Sequence, residues 1–281
     1  MTTTGTHANS NSPWHMNWKR RILSLLVGVL PDGMFIWLVA HLHRRVEPEM
    51  RPITQRCDPN GIAIDVGAWY GPWSYWLSRR VRSVETFDPN PEVTAKIAGH
   101  LGPNVVIHSE AVSDRIGKET LFLSGGGKGL EAQSSLVASN HSTPSIDVNV
   151  VRLDSFDLKN IRLLKIDVEG YEYHVLKGGE SLILRDHPVL VVELEDQFGD
   201  IFPSVELINQ WGYVGKIFVE QEWIDFEVNP FIRDQRVFLS RSTMRGYLAA
   251  AAKKGYGYYN NVVFVHPEST WSPWPNSPMS R

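Results

Sequence analysis

From Gly61 onward, short apolar segments alternate with segments of helical spacing, and no other feature constrains the fold of this chain as strongly. Apolar strands that alternate with helices are typical of a mostly parallel sheet with helices on both faces. The sequence therefore predicts an α/β domain, in which ligands bind at the carboxyl ends of the strands. The predicted strands span residues 61–67, 83–89, 105–112, 163–169, 189–194 and 261–265.

Two segments interrupt this alternation. Residues 118–156 resemble extra strands around the glycine-rich stretch SGGGKG at 124–129, which is either a lid over a ligand or the end of a hairpin. Residues 216–260 form a second insertion with many aromatic residues. We interpret it either as an acceptor-binding cover, since aromatic faces suit sugar rings, or as a simple helical cover over the core.

The ends of the chain differ from the centre. Residues 1–13 and 268–281 are polar or rich in Pro and Ser, and we expect both to be disordered. Residues 14–56 are a predicted N-terminal helical extension, and residues 57–267 are the main domain. Pro31-Asp32-Gly33 splits the apolar run of the extension into halves that are too short to cross a bilayer, which takes ~20 residues. The extension is either a pair of helices packed on the domain or an interfacial anchor, with residues 14–45 in peripheral contact with anionic lipid.

Charge and cysteine content exclude several classes. The net charge of −3 and the pI of about 6.4 do not favour nucleic-acid binding. Cys57 is the single cysteine, so the chain forms no intrachain disulfide and no thiolate metal cluster. We expect a cytoplasmic protein, with membrane association as an open alternative.

A glycine turn follows the first predicted strand in the sequence IDVGAWYG. Asp65, Gly67 and Gly71 there match neither the dinucleotide fingerprint nor the phosphate-binding P-loop. Asp88, at the end of the next strand, is placed to accept hydrogen bonds from both hydroxyls of a ribose, and Asn90 lies beside it. The combination indicates a nucleoside ligand without a pyrophosphate, and S-adenosylmethionine fits that description.

Charged residues follow the central strand in the sequence LLKIDVEGYEYHVLKGG at 163–179. A central parallel strand is buried on both faces, so Lys165 needs an acidic neighbour. Asp167 and Glu169 are tolerated only at or beyond the carboxyl end of the strand, facing a cleft. The next strand also ends in acids, which could bind Mg²⁺ or accept hydrogen bonds from a polyhydroxylated acceptor; they are Glu193, Glu195 and Asp196.

These motifs together resemble the FkbM family of S-adenosylmethionine-dependent methyltransferases. The likeness covers residues 60–200 and 260–266 and rests on IDVGAWYG, FDPNP, EAVSD, SSL, LDSF, the long KIDVEG block and NVVFV. It implies a class I methyltransferase fold, which is Rossmann-like. The sheet would have seven mostly parallel strands in the order 3-2-1-4-5-7-6, with the last strand antiparallel.

The resemblance also implies roles for individual residues. The glycine turn would border the methionine part of the cofactor, Asp88 would hold the ribose, and Glu110 and Ala111 would border the adenine. Asp88 stands where many relatives carry Glu, which preserves the contact with a shorter reach. The implied cofactor-binding residues are Asp65, Gly67, Gly71, Asp88, Asn90, Glu110 and Ala111.

The expected reaction is methyl transfer to a hydroxyl of a sugar, glycolipid or polyketide-type acceptor. A sugar hydroxyl is a weak acid, so the transfer needs a base or a metal. Asp167 is the first candidate base, and Glu169 or a pocket histidine such as His141 is the second. The alternative is a non-catalytic peripheral membrane or assembly module that retains the fold. A nicotinamide-dependent enzyme is opposed by the missing glycine pattern.

Overall fold

Helices and strands alternate along the chain as the apolar pattern predicts. The structure is a computed structural model that describes residues 30–123, 136, 144–241 and 259–274. The helices are α1 (Asp32–Val46), α2 (Met50–Arg56), α3 (Pro72–Leu77), α4 (Pro91–Ile97), α5 (Glu172–Gly178), α6 (Glu180–Asp186), α7 (Phe202–Gln210) and α8 (Val228–Arg241). The strands are β1 (Ile62–Val66), β2 (Ser83–Phe87), β3 (Val105–His108), β4 (Ala111–Val112), β5 (Gly117–Phe122), β6 (Ser145–Val151), β7 (Ile161–Ile166), β8 (Val189–Glu193), β9 (Val214–Val219), β10 (Glu222–Asp225) and β11 (Asn261–Val265).

One eight-stranded sheet forms the centre of the domain, with the order β10-β9-β11-β8-β7-β1-β2-β3. Its strands β1, β2, β3, β7 and β8 pair in parallel, whereas β11 runs antiparallel to both β8 and β9. Without β10, this is the expected order of a class I methyltransferase sheet with its last strand antiparallel, so the fold class is confirmed. The eighth strand, β10, was not predicted; it adds an edge by forming a hairpin with β9.

The predicted insertion at 216–260 has the wrong start. Residue 216 lies inside β9, and the chain continues through β10, so residues 216–225 belong largely to the main sheet. In α8, Gln235 Nε2 donates hydrogen bonds to the carbonyl oxygens of Leu194 at 2.7 Å and Tyr259 at 3.1 Å. This helix therefore covers the segment after β8, whereas residues 242–258 lie outside the described part of the chain.

A small second sheet confirms the extra strands expected within 118–156. Its order is β4-β6-β5, with β5 and β6 antiparallel and β4 and β6 parallel. The stretch 124–129 between β5 and β6, interpreted as a lid or a hairpin end, lies outside the described residues.

Apolar clusters cover both faces of the main sheet. One face packs against side chains of α5, α6, α7 and α8. The other packs against α2, α3 and the segment after β11, including the buried residues Ile53, Trp73, Trp271 and Trp274. The expectation of disorder from residue 268 is therefore wrong for 268–274, because its two tryptophans are buried in the core. Residues 275–281 and 1–29 lie outside the described part of the chain.

The helical extension packs on the domain. Phe35 and Ile36 of α1 are buried in one cluster with Tyr70 and Tyr75, and Trp76 Nε1 donates a 2.8 Å hydrogen bond to the carbonyl oxygen of Ala40. This agrees with the packed-helix interpretation over residues 30–56. None of the helices among the described residues combines the length and the apolar character that a membrane crossing requires. Peripheral membrane contact through residues 14–45 stays a prediction.

Candidate active site

A cavity of about 200 Å³ opens at the carboxyl ends of the parallel strands. Its walls come from the segments that follow β1, β2, β3, β7 and β8, together with the last turn of α1. This is the place where a parallel sheet binds its ligands.

Gly67 lies where β1 and β7 approach each other most closely. Its φ is +78°, in the region that favours glycine, and a Cβ atom there would lie 1.7 Å from the carbonyl oxygen of Asp167. The N–H group of Gly67 donates to Phe87 at 2.9 Å, and that of Asp167 donates to Val66 at 2.9 Å. The missing side chain therefore lets the ends of three strands meet around the cavity.

Asp88 lies on the cavity wall just beyond β2 and is buried. Its Oδ2 accepts the N–H of Trp69 at 2.7 Å, and its Oδ1 accepts the N–H of Asn90 at 2.9 Å. Burial raises the pKa of Asp88 to about 7 against the effect of these hydrogen bonds. The carboxyl group is thus held rigidly by the backbone of two turns.

Three other predicted cofactor residues also line the cavity. Asn90 caps α4, where its side-chain oxygen accepts the N–H of Glu92 at 3.0 Å. Glu110 and Ala111 line the wall beyond β3.

Asp65 and Gly71 are absent from the cavity wall among the described residues. Asp65 Oδ2 accepts hydrogen bonds from the N–H of Ser74 at 3.0 Å and from its hydroxyl at 2.6 Å, so this carboxylate fixes the start of α3 behind the cavity. Gly71 precedes that helix with φ +66°, and a Cβ there would meet Leu101 at 3.1 Å. Both residues shape the turn, and their placement does not favour direct contact with a ligand in the cavity.

Asp167 lies on the cavity wall immediately after β7, with 28% of its side chain exposed. The fully buried ammonium of Lys165 lies 3.4 Å from Asp167 Oδ2 and 3.8 Å from Glu193 Oε2. The acidic neighbour that the sequence requires for Lys165 is therefore present. Burial raises the pKa of Glu193 well above its usual range, and the charge of Asp167 and a hydrogen bond to it raise the pKa further.

The turn after Asp167 holds two more acids. Glu169 lines the cavity in a left-handed conformation, with φ +48°, and Glu172 Oε1 accepts the N–H of Gly170 at 2.9 Å. Burial, followed by the charge of Asp167, raises the pKa of Glu169 to about 9. Burial also raises the pKa of Glu172 to about 7. The candidate base His141 lies outside the described residues.

The N-terminal extension contributes site residues that the sequence analysis missed. His43 and Glu47 line the cavity, and both are buried. Glu47 Oε1 lies 2.7 Å from His43 Nε2, and Glu47 Oε2 accepts the indole N–H of Trp73 at 2.7 Å. Burial alone would raise the pKa of Glu47, but His43 outweighs it and lowers the pKa to about 2. The four-residue spacing of His43 and Glu47 is the one available signal, and it does not reveal which part of the protein the helix packs against.

The acids proposed for Mg²⁺ do not form one cluster. Asp196 pairs with Arg236 at 2.6 and 2.9 Å, and Glu195 accepts a hydrogen bond from Asn260 at 3.1 Å. A different set, Glu47, Asp167 and Glu193, places carboxylate oxygens within 4.8 Å of one another. The ammonium of Lys165 is the cation beside that set. A Mg²⁺ requirement stays a prediction without support.

The strand order and a cavity at the carboxyl ends of β1 and β2 are those of the class I methyltransferase fold. The profile of the methyltransferase FkbM domain matches residues 65–215, which is more than half of the chain. The chain therefore belongs to the FkbM methyltransferase family.

Individual relatives are distant. Methyltransferase 1 of Beauveria bassiana (strain ARSEF 2860) is 28% identical over 182 residues, which cover 55% of this chain and 72% of the relative. The crystal structure of methyltransferase FkbM from Methylobacillus flagellatus KT matches with 10% identity and a TM-score of 0.43 over 74% of this chain. That match spans 44% of the solved chain, less than half of its length. A TehB-like SAM-dependent methyltransferase from Corynebacterium glutamicum matches with 12% identity and a TM-score of 0.43, over 91% of this chain and 99% of that one.

The first prediction concerns the close approach at Gly67. Gly67→Ala places a methyl group against the backbone of Asp167, so we expect the free energy of unfolding to fall by more than about 3 kcal/mol. Gly99→Ala is the matched control, because Gly99 has φ +77° and no atom within 4 Å of the added Cβ. In the control, the free energy of unfolding should fall only by the cost of placing alanine in the left-handed conformation, about 1–2 kcal/mol. Denaturant unfolding measures both, and equal losses would contradict the close contact.

The second prediction is a fall in stability with rising pH. Burial raises the pKa values of Asp88 and Glu172 to about 7 and that of Glu49 to about 8. A carboxyl group with a raised folded-state pKa binds its proton more tightly when folded, so its contribution to stability is lost as pH rises through that pKa. Between the ordinary pKa of such a group and its raised pKa, only the folded state binds the proton, so we expect the free energy of unfolding to fall between about pH 5 and about pH 8. Glu49→Gln should flatten the slope over this range, whereas Glu222→Gln, at an exposed position, should leave it unchanged. A slope that Glu49→Gln does not alter would contradict the assignment.

Proposed function

We propose that this FkbM-family methyltransferase transfers a methyl group from S-adenosylmethionine to a hydroxyl of a sugar, glycolipid or polyketide-type acceptor. The observation that carries the proposal is that Asp88 and Asp167 lie on the walls of one cavity. Asp88 suits a nucleoside, and Asp167 suits a proton transfer at the reacting oxygen.

The residues on the Asp88 side fit an adenosine. A carboxylate offers about four acceptor positions, and the N–H groups of Trp69 and Asn90 use two of them. The other two can accept both hydroxyls of a ribose. Ala111 adds apolar surface to the same cavity, as a purine ring requires. Gly67 lines the cavity as well, and a glycine allows a ligand such as the methionine part to approach the backbone closely.

The part of the lining around the ends of β7 and β8 suits a polyhydroxylated acceptor. It carries the oxygen-bearing side chains of Glu47, Asp167, Glu193 and Asn260. Carboxylate and amide oxygens accept hydrogen bonds from hydroxyl groups, and the acids would repel an acceptor that carries phosphate or carboxylate. A neutral glycan or polyketide hydroxyl meets both conditions.

When bound, S-adenosylmethionine supplies an activated methyl group, whose bond to sulfur breaks as its bond to the acceptor oxygen forms. The residues of the chain align the hydroxyl and accept its proton. Asp167 is the proposed proton acceptor, because its partly exposed carboxyl group lines the cavity and is held 3.4 Å from the ammonium of Lys165.

Glu169 suits a different task. Its raised pKa of about 9 keeps this carboxyl group protonated near neutral pH. A protonated carboxyl group donates a hydrogen bond and cannot take the proton of the acceptor. We therefore assign Glu169 to binding the acceptor rather than to accepting the proton.

The third prediction tests the cofactor site. Asp88→Ala removes two charge-assisted hydrogen bonds to the ribose, so we expect S-adenosylmethionine affinity to fall by about 100-fold or more in calorimetry. Asp88→Glu is the matched control, which should retain most of the binding because it keeps the carboxylate. Unchanged affinity in Asp88→Ala would contradict the assignment. No binding heat for the unaltered protein would favour the non-catalytic module instead.

The fourth prediction tests the base. Asp167→Asn keeps the shape of the side chain but cannot accept the proton, so turnover should fall by about 100-fold or more while S-adenosylmethionine affinity stays near its original value. Turnover is followed with labelled cofactor and a fractionated extract of the source cells. Glu169→Gln, from the same turn, should mainly raise KM for the acceptor. Near-normal turnover in Asp167→Asn would remove this residue from the mechanism.

A further inference from the structure

The side chain of Lys165 is fully buried in the central sheet, at the carboxyl end of β7. Its Nζ donates a 2.9 Å hydrogen bond to Asn261 Oδ1 and lies 3.4 Å from Asp167 Oδ2. A buried ion pair rarely stabilises a fold more than well-packed apolar residues of similar volume would. Packing alone therefore gives no reason for an ammonium at this position.

Several elements direct acidic groups at this ammonium. Asp65 comes from β1, Glu193 from the end of β8, and Glu47 from the end of α1. His43 stands behind Glu47. Burial alone would lower the pKa of Lys165, but Asp167, Glu47 and Glu193 outweigh it and raise the pKa above its usual range. The ammonium consequently stays charged wherever the protein is folded.

Hydrogen bonds from β11 and the N-terminal extension fix the position of the ammonium. Asn261 accepts the hydrogen bond of Lys165 through Oδ1 and donates through Nδ2 to Glu49 Oε1 at 2.7 Å. Glu49 belongs to the turn between α1 and α2 and is buried. The N-terminal extension and β11 thus hold the ammonium at one point beneath the cavity.

We propose that Lys165 is a positioning residue for methyl transfer, whose ammonium orients the carboxylate of Asp167 at the cavity wall and balances its negative charge. The ammonium lies beside the cluster of acids that Glu47, Asp167 and Glu193 form. Without it, Glu47, Asp167 and Glu193 would lack a neighbouring cation, and protonation of these carboxyl groups would be more favourable still. This inference rests on the proposed function in one respect, namely that Asp167 accepts the proton of the acceptor.

The test is Lys165→Met, which keeps the length of the side chain and removes the charge. We expect kcat to fall by about 10- to 100-fold near pH 7, with little change in acceptor KM or S-adenosylmethionine affinity. The acid limb of the pH profile of kcat should move to higher pH, because Asp167 then ionises beside Glu47 and Glu193 without a counter-ion. A purely structural Lys165 would not move that limb. Unchanged kcat and an unchanged profile would overturn the proposal.

A double-mutant cycle separates action through Asp167 from a general effect. In the Asp167→Asn background, Lys165→Met should cause little further loss of kcat, because its target is already absent. An equal loss in both backgrounds would overturn the proposal. Full turnover in Asp167→Asn would contradict the assignment of Asp167 as the base. If Asp167→Asn loses turnover and Lys165→Met does not, only the proposed role of Lys165 is contradicted.

Two further measurements address the folding of the Lys165→Met variant and the involvement of a metal ion. Should Lys165→Met fold poorly, Lys165→Met/Glu49→Gln removes a buried carboxyl group together with the ammonium, and Glu49→Gln alone is its reference. The same loss of kcat and shift of the pH profile are expected relative to that reference, and their absence would overturn the proposal.

Turnover of the unaltered protein should persist in the presence of a metal chelator. Loss of turnover that Mg²⁺ restores would also overturn the proposal, since a divalent ion would then hold the acids.

Discussion

The buried ammonium of Lys165 is the interaction on which the rest of the site depends. A charge in the interior is stable only with opposite charges and hydrogen bonds around it. Asp167 and Glu193 provide the charges, and Asn261 provides the hydrogen bond. Because these groups come from β7, β8 and β11, one side chain joins three neighbouring strands at the edge where the cavity opens.

The same requirement explains why the N-terminal extension is part of the active domain. Glu49 supports Asn261 from the turn after α1, and Glu47 reaches both the cavity and the indole of Trp73. The profile of the FkbM domain begins at residue 65 and does not include α1 and α2. In this chain the end of α1 nevertheless closes one side of the cavity, and Glu47 and Glu49 after it complete the charge balance of the site.

Much of the fold could be predicted from sequence because the signals are local. Short apolar strands alternating with helices determine a parallel sheet, and the ends of parallel strands share one edge. That reasoning placed Asp88 and Asp167 near each other without any knowledge of tertiary contacts, and both line the cavity.

Tertiary packing decided what the sequence could not. Asp65 carries the same carboxyl group as Asp88 at the same edge of the sheet. Its carboxylate, however, accepts two hydrogen bonds from Ser74 and is not part of the cavity wall. His43 and Glu47 lie far along the chain from the other cavity residues, so only the docking of α1 brings them there. Trp271 and Trp274 lie in a segment whose Pro and Ser content indicates disorder, and their burial in the core prevails over that local tendency.

The charge of the cavity carries consequences for the acceptor. The carboxyl groups on its walls differ in protonation: the pKa of Glu47 is lowered to about 2, whereas that of Glu169 is raised to about 9. One wall can therefore accept hydrogen bonds while the turn after β7 donates one, which matches the mixed donor and acceptor character of a hydroxyl group. This distribution of protons is compatible with the proposed hydroxyl acceptor, which can both donate and accept a hydrogen bond.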